Sequence, residues 1–210
     1  MDAILTTALF AHIITGYTAL TAGTSIMILK KGDRRHQLIG RVFYLTMLAV
    51  SASALVLAGL KSNMFLVHIA IFVLYQNVAG RRSVKKKSLL PNVWDILLLV
   101  AALVNGILML FAGNPVLMVF GGISVFLVFN DLRIYYRLHR KKQMPKLGWK
   151  ARHIGMMMGA YIGALTAFLV VNVSLSGWPG IVLWLAPTAV FVPLMQWWTW
   201  KFTMEPGRRL

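Results

Sequence analysis

Residues 93–112 read VWDILLLVAALVNGILMLFA, twenty positions with one charge, Asp95, near the start. An apolar run of about 20 residues is what a helix needs to cross a ~30 Å hydrocarbon core. The run is bounded on one side by Arg81-Arg82-Ser83-Val84-Lys85-Lys86-Lys87 and on the other by Gly113-Asn114-Pro115. One end is therefore strongly basic, and the other is a neutral reversal built from turn residues. Working outward, the same grammar repeats in both directions and predicts seven spans: 3–29, 38–60, 64–79, 93–112, 116–132, 154–174 and 181–200. The third and fifth are short, and either could be re-entrant. Spanning is preferred because the charges then sort by side.

The sorting is nearly complete. Basic residues follow spans one, three, five and seven, and Lys61 alone falls on the opposite side, so twenty-one of the twenty-two Lys and Arg residues share one face. By the positive-inside rule that face is cytoplasmic, with the N-terminus outside and the C-terminus inside. A six-span arrangement would put one basic cluster on the wrong side. The expected fold is an all-α, polytopic transmembrane bundle forming a single domain over 1–210. The first span lacks a basic n-region and is expected to stay rather than be cleaved.

Composition agrees. Of 210 residues, 59% are hydrophobic and 13% charged, yet the net charge is +17. So apolar a chain is not a soluble nucleic-acid binder, and the sorted loops explain the charge without nucleic acid. The expected partners are the lipid bilayer and anionic lipids at the cytoplasmic face, with a homo-oligomer or membrane partner possible. The chain has no cysteine, which excludes disulfides, thiolate nucleophiles and Cys-ligated metal sites. No His-Glu-x-x-His or Gly-x-Ser-x-Gly pattern is present.

Ionisable residues inside spans are costly and mark functional candidates. His12 and His68 lie in the outer half, while His36, His153 and Asp131 lie near the cytoplasmic ends of spans two, six and five. Two facing imidazoles can ligate haem b axially, which makes His12, His36, His68 and His153 candidate cofactor ligands. His36, Asp131 and His153 are the candidate ligands of a divalent metal. The competing reading is a salt-bridge network, with Asp131 pairing Arg41, Arg133 or a protonated His. Small residues recur every four positions at Gly155, Gly159, Gly163 and Ala167, a stripe suited to close helix packing. His153 falls about 200° around from Gly155, away from that stripe. His12, Gly16, Ala19 and Gly23 share a face of span one, which fits another helix or a flat ligand.

The stretch His36-Gln37-Leu38-Ile39-Gly40-Arg41-Val42-Phe43-Tyr44 resembles a signature of a bacterial domain-of-unknown-function family of predicted multi-pass membrane proteins. Asn130-Asp131-Leu132-Arg133 is similar to that family's Asp-Leu-Arg step, and His153 to Asn172 is similar to its late-helix stretch. The resemblance implies a bacterial inner-membrane location and matching positions at His12, His36, Asp131 and His153, but no established function. The His-bearing helices also resemble, in architecture, transmembrane b-type cytochromes and ferric reductases. The leading expectation is therefore a His-ligated haem or metal electron-transfer protein. The alternatives are a small-molecule or proton-coupled transporter, with a cavity lined by His12, Gln76 and Asn105, or a non-catalytic partner protein.

Overall fold

A computed structural model of the chain describes residues 2–141, 148–173 and 175–204. Ser174 and the basic residues Lys142, Lys146, Arg208 and Arg209 lie outside them. The described residues are all-helical: α1 (Asp2–Ile28), α2 (Arg34–Leu60), α3 (Met64–Lys85), α4 (Val93–Leu110), α5 (Pro115–Lys141), α6 (Gly148–Asn172) and α7 (Gly177–Met204). All seven are long and apolar enough to cross a bilayer, so the chain is a multi-pass membrane protein.

Local chemistry explains where the helices start. The Asp33 side chain accepts from the His36 N–H at 2.7 Å, and Asn63 accepts from the Leu66 N–H at 3.2 Å. Asn92 and Asp95 form a reciprocal capping box, so Asp95 is partly a helix-start residue. Asn114 caps α5, and Pro115 takes its first position, where no N–H is needed. Gly113 turns between α4 and α5 with φ +67°, a left-handed conformation that a Cβ would oppose.

The two spans that look short are not. α3 has 22 residues and α5 has 27, because both helices run on past the apolar segment into their basic ends. α6 likewise starts at Gly148, six residues before the expected start at Ile154. Long basic side chains can leave the apolar zone while their backbone stays helical. Arg81, Arg82, Lys85, Arg133, Arg137, Arg140, Lys150 and Arg152 are thus helical residues rather than loop residues. The reversals expected at 176–180 are shorter too, since α7 already begins at Gly177.

α3 is the centre. It packs against α2, α4, α5 and α6, while α1 lies against α2 and α6, and α7 against α6 and α5. The small-residue stripe of α6 meets α3: a Cβ at Gly159 would run into the Gln76 amide, and one at Gly163 into Val73. Gly155, by contrast, faces open space. Ala19 and Gly23 of α1 pack against α2 and α6, with Gly23 beside Tyr161 and Phe43, so the small face of α1 seats helices.

Candidate functional site

One face of α3 carries His68, Tyr75 and Arg82, seven residues apart, and seven residues are two turns of helix. Each meets a polar partner on a neighbouring helix. His68 Nδ1 lies 2.8 Å from Asn105 Oδ1 on α4, and Asn105 Nδ2 donates back to the His68 carbonyl at 3.0 Å. The carboxamide oxygen can only accept, so the proton is on His68 Nδ1. The Tyr75 hydroxyl donates to Asp131 Oδ2 on α5 at 2.6 Å. Arg82 pairs with Asp95 on α4. Ser124 of α5, fully buried, donates to the Ala102 carbonyl of α4, one turn from Asn105 toward the basic end.

Asp131 is the pivot of this ladder. It is 0% exposed and is held by Arg152 of α6, whose side chain is 7% exposed. Arg152 donates Nε to Oδ1 at 2.7 Å and Nη2 to Oδ2 at 2.5 Å, a bidentate fork. Its Nη1 reaches the Ala79 carbonyl and Ser83 Oγ, both at 2.8 Å, and the Tyr135 hydroxyl is 3.5 Å from Nη2. An ion pair taken out of water is tolerable only when the remaining donors are matched, and here they are. The network ties α3, α5 and α6 together. Arg152 also lines a recess of about 10 Å³, room for one water, shared with Arg82, Lys86, Asp95 and Tyr135.

The other histidines sit elsewhere. His12 Nδ1 lies 3.1 Å from Ser53 Oγ at the α1–α2 interface, so it is not opposite His68. His153 Nδ1 lies 3.0 Å from the Gly80 carbonyl and must donate its proton there. That contact turns His153 toward α3, while Gly155, about 200° around the helix, faces open space. His36 lies within electrostatic range of His153, and its Nδ1 is buried without a hydrogen-bond partner. Asp131 does not join them, because its carboxylate is filled by Tyr75 and Arg152. The trio His36, Asp131 and His153 is thus not assembled as a ligand set, and no group of three or more His, Asp or Glu among the described residues is placed to hold a metal.

His12 and His68 do not face each other as a haem b pair would require. They belong to different interfaces, and the groove of ligand size between α1 and α6 is lined by no histidine. Gln76 and Asn105 do not share a cavity with His12: Gln76 lies under Gly159, Asn105 is bonded to His68, and His12 to Ser53. Asp131 does pair with an arginine, as the salt-bridge reading expects, but with Arg152 rather than Arg41 or Arg133.

Tyr75 and Arg152 are the site residues that sequence reading passes over. The spacing His68-Tyr75-Arg82 is the available signal for the first. For the second it is the interval Arg152-Met156-Ala160, a run of buried positions four residues apart. Comparison with protein-family models, with curated proteins and with solved structures finds no match.

Proposed function

We propose that this protein is a proton-translocating transporter of a bacterial inner membrane, with its basic end in the cytoplasm and the start of α1 outside. The orientation rests on the concentration of Lys and Arg at one end. The function rests on one observation: a carboxylate, Asp131, fully buried inside a spanning helix and hydrogen-bonded to both a tyrosine and an arginine. Ionisable side chains inside spans mark ion pathways and proton relays among their functional uses.

The ladder supplies the route. His68 and Asn105 form its outer station. The step from His68 to Tyr75 is about 10 Å along α3 and needs water to complete it. Tyr75 hands on to Asp131. Protonation of Asp131 removes the charge that holds Arg152, and the guanidinium keeps Ser83 and the Ala79 carbonyl as its remaining partners. The proton then leaves through the recess bounded by Arg82, Lys86 and Asp95.

The test is voltage-driven proton entry into vesicles that carry the full chain and an internal pH dye. Wild type is expected to acidify the lumen faster than protein-free vesicles. Asp131→Asn is expected to lose that flux, while Asp33→Asn, at the cap of α2, keeps it. Wild-type flux no greater than that of empty vesicles, or an Asp131→Asn variant as active as wild type and equally well folded, sinks the proposal.

A further inference from the structure

A groove of about 440 Å³ runs between α1 and α6, open toward the membrane. Tyr17, Leu20, Thr24, Tyr161, Leu165 and Phe168 line it. Its floor is fixed at two points: Thr24 Oγ1 and the Tyr161 hydroxyl are 2.9 Å apart, and Tyr17 meets Phe168 edge-on at 5.6 Å. The volume is in the range of a small-molecule site, and the wall is mostly apolar. From Tyr17 to Ile28 the groove covers twelve residues of α1, a rise of about 16 Å. That is half of a ~30 Å core, the depth of one leaflet.

The groove ends at the basic end of α1, and Lys31 stands there. Its Nζ donates to the carbonyls of Ile26, Met27 and Leu29, which flank the lining residue Ile28, and lies 4.8 Å from the Trp198 ring centre. No carboxylate among the described residues lies within ion-pair distance of it. Burial lowers the Lys31 pKa from the ordinary lysine value. The site therefore holds a partly buried cation that no carboxylate among the described residues contacts, beside a leaflet-deep apolar slot. Phe191, one wall further in, packs on Tyr161, and Trp198 is two turns along α7 from it, so the same face of α7 borders both parts.

We propose that this groove seats one acyl chain of an anionic phospholipid from the leaflet at the basic end, with Lys31 supplying the charge for its phosphate. This site is separate from the α3 ladder, so it stands or falls independently of proton movement. The slot gives the chain shape, and the positive charge of Lys31 selects the headgroup.

The test is native mass spectrometry of the full chain in mild detergent, with equal amounts of phosphatidylglycerol and phosphatidylcholine of the same chain length. Wild type is expected to keep the anionic lipid about fivefold over the zwitterionic one, the preference of one juxtamembrane lysine. Lys31→Gln is expected to bring the ratio near one. Leu165→Trp, which fills the slot, lowers retention of both lipids without touching the charge. Lys150→Gln, at the same end but beside Trp149, leaves the ratio as in wild type. The proposal is overturned if Leu165→Trp retains lipid like wild type, or if Lys150→Gln erases the preference as fully as Lys31→Gln. It is also overturned if wild type keeps both lipids equally. Because Lys31 also caps α1, the Leu165→Trp arm decides the matter should Lys31→Gln fold poorly.

Discussion

α3 and α1 are both spanning helices of similar hydropathy, yet they are stabilised in different ways. Half of the most apolar window of α3 is buried against protein, compared with 6% of the window of α1. α3 carries Tyr75, Gln76, Asn77, Ser83 and His68 into that contact, and most of these polar groups find a partner on a neighbouring helix. α1 presents Ile4, Phe10, Ile14 and Ile28 outward and tucks its hydroxyls onto its own carbonyls. In a bilayer, apolar side chains gain little from leaving lipid for protein, so packing and polar pairing decide which helices cohere. Hydropathy thus identifies both helices as spans, whereas polar pairing identifies the one that organises the bundle.

The hardest blow to that contrast should come at Asp131. Asp131→Leu leaves Arg152 buried and unpaired, and removing one member of a buried pair costs about 3–5 kcal/mol. Thermal unfolding in detergent should show a larger drop in Tm than substitution at Gly159, Arg82 or Phe10. The double variant Asp131→Leu/Arg152→Met should recover most of it, since an apolar pair of similar volume is often neutral. A single variant as stable as wild type would mean that the ladder does not hold the bundle together.

The next test lies inside one helix. Gly159→Ala drives a methyl into the Gln76 amide and is expected to destabilise by about 1–3 kcal/mol, the usual range for overpacking. Gly155→Ala, in the same stripe but facing open space, should be neutral or gain up to about 1 kcal/mol from helix propensity. Equal effects at the two glycines would show that α3 does not discriminate between them.

That stripe also shows how far the sequence could be read. Spans are legible because hydropathy is a one-dimensional property and the charges sort by side. The packing role of Gly159 and Gly163 is legible because a period of four puts them on one face. Asp131 is legible as a buried charge, since a carboxylate inside an apolar run is costly unless it is paired or used. Its partner is not, because the apolar run begins at Ile154 while the helix begins at Gly148 and turns Arg152 inward. Nor is helix order legible: which neighbour α3 offers to His68 or His153 depends on how seven cylinders assemble, which no single span encodes.

Smaller effects should appear where pairs reach solvent. Arg82→Gln breaks the contact with Asp95, but the Arg82 side chain is 26% exposed, so the expected loss is about 0–1 kcal/mol. Phe10→Ala, on the outward face of α1, should stay within about 0.5 kcal/mol. A Phe10 effect larger than that of Arg82 would reverse the ranking of the two regions.

The smallest expected signal is a slope with pH at the end of α1. Burial lowers the Lys31 pKa, so the folded chain binds this proton less tightly than the unfolded chain, whose value is near 10.5. Where the unfolded state holds more protons, stability rises with pH. The rise is confined between the lowered folded value and about 10.5, and it is absent at lower pH, where both states are protonated. Because much of the side chain is still in contact with solvent, screening keeps the slope shallow. Denaturant midpoints measured at rising alkaline pH should increase slightly more for wild type than for Lys31→Met, which has no proton to lose. If an anionic lipid occupies the groove, it offsets the desolvation of the ammonium, so adding phosphatidylglycerol should flatten the wild-type slope and leave Lys31→Met unchanged. A slope that ignores the lipid would place the burial of Lys31 within the protein alone, against Trp198 and the carbonyls of α1.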